Sequence, residues 1–242
     1  MINGRFVKMI LGNITNIPSM WMKLRKLIKD TDYDDLDRWN HVQYVMRKLH
    51  RKSNVNLHIH YAENRPTKSG CMIYANHQGL YDPVAIAANS VIPLGAVCKI
   101  ELEKVPVIKD IIKATKTFCI DRNSVKQSLK VFNSVTDEVK SGKSYVIFPE
   151  GTRSKNGNEM LEFHAAAFRC AIKAKCDIYP IAFVDSYKAF DKKGFGKVDV
   201  HMHYLPCIKY EDFKDMKSTE LAVLVKDKIQ SVIDIYERKE EN

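Results

Sequence analysis

His77 and Asp82 stand five residues apart, directly after the apolar run Cys71-Met72-Ile73-Tyr74-Ala75. A neutral imidazole can take a proton from a hydroxyl. A carboxylate on its other ring nitrogen fixes the tautomer and stabilises the imidazolium that forms. The pair is therefore a candidate general base with its orienting acid. Read alone, Asp82 before Pro83 is also an ordinary helix start, with Asp as N-cap and Pro at the first helical position, and His77 alone is a loop histidine. Three further apolar runs end in charge. Lys99 and Glu101 come after Ala96-Val97-Cys98, Asp121 and Arg122 after Phe118-Cys119-Ile120, and Glu150, Gly151, Thr152 and Arg153 after Tyr145-Val146-Ile147-Phe148-Pro149. A guanidinium suits phosphate because it donates two parallel bonds, and a glycine such as Gly151 lets backbone N–H groups approach an oxyanion. The plain alternative pairs each arginine with its own neighbour, Asp121 or Glu150. No serine sits in G-x-S-x-G and no cysteine in a nucleophile context. The chemistry that remains is direct transfer, in which a base activates a hydroxyl that attacks an already activated acyl group.

These residues act together only if the fold gathers the ends of the runs. Short apolar runs at 71–75, 94–98, 117–120, 144–148 and 178–184 alternate with helical patterns at 83–90, 124–141, 163–175 and 219–237. That alternation predicts an α/β fold, a mostly parallel central sheet flanked by helices on both faces. In such a sheet ligands bind beyond the carboxyl ends of the strands. Ser124 with Gln127 three residues on predicts a capping box, and Gly142 fits the position just past that helix. Strict alternation predicts strands over 54–61 and 198–204. The pairs His58/His60 and His201/His203 arise from that alternation and are not read as metal ligands.

The apolar fraction of 45% and charged fraction of 28% exclude a disordered chain. No window approaches eighteen uninterrupted apolar residues, so no membrane-spanning helix is expected. Net charge is +10, of which residues 1–60 carry eleven Lys/Arg against five Asp. Ile17, Met20, Trp21, Leu24, Leu27 and Ile28 share a helical face, with Lys23, Arg25, Lys26 and Lys29 opposite. This suits a helix lying in a membrane interface; the alternative is a helix packed on the protein's own core, and the basic bias favours the interface. The expected organisation is an N-terminal amphipathic segment over 1–52 and an α/β domain over 53–242. No signal peptide is expected. Six cysteines without C-x-x-C spacing read as reduced, mostly buried thiols. The G-x-x-x-x-G-K-[ST] and G-x-G-x-x-G loops are both missing, so nucleotide hydrolysis and dinucleotide binding have no support.

Four blocks, in order over roughly residues 70–185, resemble the glycerolipid acyltransferases, specifically the bacterial 1-acyl-sn-glycerol-3-phosphate acyltransferases. Asn76-His77-Gln78-Gly79-Leu80-Tyr81-Asp82 matches N-H-x-x-x-x-D. Phe118-Cys119-Ile120-Asp121-Arg122 resembles the second block, and Phe148-Pro149-Glu150-Gly151-Thr152-Arg153-Ser154 matches F-P-E-G-T-R-S. Ile178-Tyr179-Pro180-Ile181-Ala182 resembles the last, and Lys99-Ile100-Glu101-Leu102 resembles the K-x-E-L segment between the first two. The resemblance implies that His77 is the base and Asp82 its orienter. It implies Arg122 and Arg153 as holders of the acceptor phosphate, with Glu150, Gly151 and Thr152 shaping that place. Asn76 and Lys99 are further substrate-binding candidates, and Pro180 lies on a buried strand near the acyl donor. Implied substrates are lysophosphatidic acid and either acyl-CoA or acyl-acyl-carrier-protein, with no cofactor and no metal. The implied setting is peripheral, on an anionic membrane surface at the cytoplasmic face, without nucleic acid. Alternatives are another acceptor, such as glycerol-3-phosphate or another lysophospholipid, or a non-catalytic basic protein on membranes. One segment departs from the pattern: where the family usually shows F-K-x-G, this chain has Phe163-His164-Ala165-Ala166.

Overall fold

A computed structural model of the chain describes residues 3–240. Three helices lead: α1 (Gly4–Leu11), α2 (Ile17–Lys29) and α3 (Asp35–Lys52). Then come β1 (Val55–His60), β2 (Met72–Ala75), α4 (Asp82–Asn89), β3 (Gly95–Lys99), α5 (Pro106–Ala114), β4 (Phe118–Ile120), α6 (Val125–Lys140) and β5 (Tyr145–Ile147). The chain closes with α7 (Ala165–Ala174), β6 (Ile178–Val184), α8 (Tyr187–Phe190), β7 (Val198–Tyr204), α9 (Tyr210–Phe213) and α10 (Ser218–Glu240). The seven strands form one sheet in the order β1-β7-β6-β2-β5-β3-β4. Neighbours run parallel except β6 and β7, so β6, β2, β5, β3 and β4 all end on one rim.

Both sheet faces are covered, as near-continuous apolar strands require. Met72 and Tyr74 of β2 point to one face with Tyr145, Ile147, Ala182 and Val184, against Val135 of α6, Phe168 of α7 and Leu221, Val225 and Ile229 of α10. Ile73 and Ala75, one residue out of phase, point to the other with Val146, Ile181 and Phe183, against Met9 of α1, Trp39 of α3 and Ile86 of α4. α3 begins in a true capping box, the Asp34 carboxylate and Asp37 each bonding the other's backbone N–H. At α6 the Ser124 hydroxyl accepts from Gln127 N–H at 3.3 Å. The Gln127 side chain does not complete the box; it spans the turn after β4, accepting from Asp121 N–H and donating to the Cys119 carbonyl. Gly142 lies just past α6 with φ +93°.

The N-terminal helices lie against the α/β elements: α1 on α3 and α8, α2 on α3 and α5, α3 on α4. The stripe Met20, Leu24 and Leu27 of α2 is buried, and the Trp21 indole N–H bonds Asp110 of α5 at 2.6 Å. Half of the apolar face of α2 is thus packed inside the protein, while Ile17, Trp21 and Ile28 of the same face stay half-buried. Leu11, Ile14 and Met22 stay exposed. No described helix is long and apolar enough to cross a membrane. The parallel β1–β7 register sets His58 beside His201 and His60 beside His203, their rings stacked at 4.7 and 4.1 Å. Cys71, Cys119, Cys170 and Cys176 are buried, and all six cysteines are free.

Candidate active site

β2 ends one residue before Asn76, in the middle of the rim. Asn76 is fully buried, and its amide both donates to the Phe183 carbonyl (2.9 Å) and accepts from Phe183 N–H (2.7 Å). It staples β2 to β6, so its side chain is consumed in bracing. His77 is the first residue to reach the surface, its side chain 18% exposed. Its Nδ1 lies 2.8 Å from Asp82 Oδ2, and Nε2 has no hydrogen-bond partner among the described residues. With Nδ1–H donated to Asp82, Nε2 carries the lone pair. The Phe148 ring stacks on the imidazole at 4.2 Å, fixing its plane from the β5 side.

Asp82 does not cap α4. Tyr81 occupies the N-cap and Asp82 opens the helix ahead of Pro83. The buried carboxylate turns back instead and accepts from Gln78 N–H (2.8 Å) and Gly79 N–H (2.9 Å) as well as from His77. The five-residue spacing makes this possible: the turn 77–82 wraps its own backbone donors around the acid. The Ser186 hydroxyl donates to the other oxygen.

Glu150 also turns inward. It is buried, accepting from His77 N–H (2.6 Å) and Leu161 N–H (2.9 Å). Burial pushes its carboxyl up to about 7, against the pull of those two N–H groups. The structure therefore uses Glu150 to hold the backbone of His77, not as a wall of an anion site. Gly151 has φ +68°, a conformation favouring glycine. A Cβ there would lie 3.2 Å from the His164 ring. The departure at His164 thus seats an imidazole against the F-P-E-G-T-R-S loop, and His164 N–H bonds the Pro149 carbonyl at 2.9 Å. Thr152 is exposed.

Arg153 pairs with neither Asp121 nor Glu150; its partner is Asp191, which also accepts from Leu80 N–H at 2.8 Å. Lys99 and Arg122 are exposed at the ends of β3 and β4. In the strand order these lie two and three strands from β2, so Arg122 is about 14 Å along the rim. Burial pulls the Arg122 guanidinium below its ordinary value, with Glu101 working against it. Pro180 is buried in β6 opposite Tyr74. The structure thus brings His77, Asp82 and Glu150 into direct contact and spreads the cations along one rim.

Sequence reasoning missed Ser186, Asn158 and Asp191. The signal for Ser186 is its place: with Asp185 it stands directly after the run 178–184, as the other charged and polar groups stand after theirs. Nothing local marks Asn158 or Asp191.

A family model described as Acyltransferase matches residues 56–184, more than half of the chain. The 1-acyl-sn-glycerol-3-phosphate acyltransferase of Borreliella burgdorferi is 24% identical over 170 residues, 69% of this chain and 68% of that protein. The protein of the same name from Helicobacter pylori is 30% identical over 122 residues, 50% of this chain and 52% of its own length. The crystal structure of a 1-acyl-sn-glycerophosphate acyltransferase from Thermotoga maritima superposes with a TM-score of 0.66 at 18% identity, over 83% of this chain and 82% of that one. That likeness carries the fold, and the family match falls on the strands and turns that hold the His77–Asp82 pair and Glu150: the chain belongs to the acyltransferase family.

Proposed function

We propose that the protein transfers an acyl group from an acyl thioester to the sn-2 hydroxyl of 1-acyl-glycerol-3-phosphate, giving phosphatidic acid. The observation that carries this reading is the imidazole of His77, tied through Nδ1 to a buried carboxylate and left with Nε2 unbonded among the described residues. Nε2 takes the proton of the acceptor hydroxyl as its oxygen attacks the thioester carbonyl. The tetrahedral intermediate collapses, the carbon–sulfur bond breaks, and the thiolate leaves with the proton from the imidazolium. Asp82 holds the ring and stabilises its charge. Arg153, freed from Asp191 by a phosphate, takes the acceptor headgroup, with Arg122 and Lys99 supplying positive potential from the far side of the rim. The relatives named above carry the acceptor in their names, which supports the choice of acceptor here.

The same reading places the protein peripherally on an anionic membrane face. The exposed Leu11, Ile14 and Met22 support it, as does an open surface of α2 formed by Met22, Arg25, Lys26 and Lys29, with Asp30 at its end. Apolar groups beside lysines are what an anionic lipid surface attracts.

The test is thiol release from palmitoyl-CoA with and without lysophosphatidic acid, repeated with an acyl-acyl-carrier-protein donor. Wild type is expected to release thiol only with acceptor. His77→Ala is expected to lose roughly 10²–10⁴-fold in kcat, and Asp82→Asn up to about 10⁴-fold. Full release in His77→Ala would remove the base from the mechanism; silence of wild type with both donors would remove the acceptor.

A further inference from the structure

We infer that Ser186 is a positioning residue for the reaction, the third member of a chain Ser186–Asp82–His77 that the topology assembles from β6 and the turn after β2. The inference rests on the acyl-transfer reading above and adds to it the element that sets the carboxylate.

The two oxygens of Asp82 are treated differently. Oδ2 faces the turn and accepts from His77 Nδ1 and from the backbone N–H groups of Gln78 and Gly79. Oδ1 accepts from the Ser186 hydroxyl. Without that hydroxyl, Oδ1 would be a charged oxygen in a fully buried site with no donor, which is strongly unfavourable. The hydroxyl also fixes the carboxylate's rotation. A carboxylate held at one oxygen can swing about its Cβ–Cγ bond, whereas one held at both presents Oδ2 to the imidazole in a single orientation.

Ser186 is itself over-determined, as a positioning group must be. It is fully buried. Its N–H donates to Gln78 Oε1 at 2.8 Å, and the Gln78 amide donates to Asn158 Oδ1 at 3.0 Å. Asn158 Oδ1 also accepts from Asp185 N–H at 2.8 Å. A bracket of Gln78 and Asn158 thus locks the end of β6 onto the catalytic turn. Gly79 completes the fit: a Cβ there would lie 3.1 Å from the Ser186 carbonyl and 2.9 Å from Asp191 Oδ2. The charged group bearing on His77 from the end of β5 is Glu150, whose carboxyl burial pushes up to about 7; it is kept in the Ser186 variants of this test.

The hydroxyl draws negative charge away from Asp82. Its removal leaves more of that charge facing the imidazole, which favours the imidazolium, so the ring holds its proton to higher pH. Ser186→Ala is expected to lower kcat on the order of 10–100-fold, the usual loss when a supporting partner of a functional group is removed, with both KM values within about twofold. It is expected to move the acidic limb of the pH profile upward, and Ser186→Thr, which keeps the hydroxyl, to restore both. NMR titration of the His77 ring, assigned against His77→Ala, reads the same shift without any substrate. An upward shift by NMR supports the inference even if the acceptor proposed above fails. A His77 titration identical in wild type and Ser186→Ala overturns it, as does a kcat loss that Ser186→Thr does not relieve.

Discussion

Glu150 pairs an acidic side chain with a buried brace, and the two demands conflict. Its carboxyl titrates at about 7 in the folded chain against an ordinary 4.5. Between those values the folded state binds more protons than the unfolded one, so stability is full below about pH 4.5 and is lost as pH rises through 7. The window is worth on the order of 3 kcal/mol. Glu150→Gln is expected to be less stable at pH 5, because its NH2 faces one of the two N–H donors where the acid's hydroxyl oxygen can still accept, yet to flatten the change between pH 5 and 7.5. Chemical denaturation at the two pH values checks it, and an unchanged slope would put the titration elsewhere. Arg153 belongs to the same scale. Its surface pair with Asp191 contributes about 0–1 kcal/mol, so Arg153→Ala is expected to leave the melting temperature nearly unchanged while raising acceptor KM about tenfold to a hundredfold. A normal KM would withdraw Arg153 from the phosphate. At this scale His77, Asp82 and Glu150 were legible as types and spacing, but not the inward turn of Asn76 and Glu150. Whether a polar side chain faces a ligand or a neighbouring backbone depends on what packs above it.

Among the elements, the strands match their apolar runs to within about a residue at each end. α5 escapes a reading by runs because Val105-Pro106-Val107-Ile108 looks extended until Ile111 and Ile112 reveal the helical period, and Pro106 is its start signal. α1 is held by a device no periodicity shows. The buried Arg5 guanidinium donates to the carbonyls of Ala189 (2.9 Å), Lys192 (2.8 Å) and Gly196 (3.3 Å). It thereby ties α1 to the segment that carries Asp191. Arg5→Met would take the donor from the Ala189 and Gly196 carbonyls, leaving Lys192 only its bond from the Asn3 amide, and is expected to cost about 2 kcal/mol or more and to expose residues 3–16 to limited proteolysis. Cleavage no faster than in wild type would show that apolar packing of α1 suffices.

For the molecule as a whole, the net charge of +10 is a statement about partners rather than fold. With Met20, Leu24 and Leu27 of α2 buried, the membrane association proposed above rests on lysines plus a few exposed apolar side chains. Flotation is expected to show binding to vesicles rich in anionic phospholipid, little to zwitterionic ones, and a sharp decline between about 0.05 and 0.5 M salt as screening shortens. Salt-independent binding to zwitterionic vesicles would point to apolar insertion instead.

The sequence by itself determined the α/β alternation, the mostly parallel character of the sheet, the reacting types and the rim on which they emerge. Those properties are local: each needs only a run, its period and the residue just after it. Tertiary structure alone decided who meets whom. Ser186 reaches Asp82 across 104 residues, and Arg153 reaches Asp191 across 38. Strand order makes those meetings, setting β6 beside β2 and reversing β7. An apolar strand buried on both faces fits many neighbours equally well by pattern. The neighbour it takes is settled by the simultaneous packing of helices on both faces of the sheet, which no segment of the sequence encodes alone.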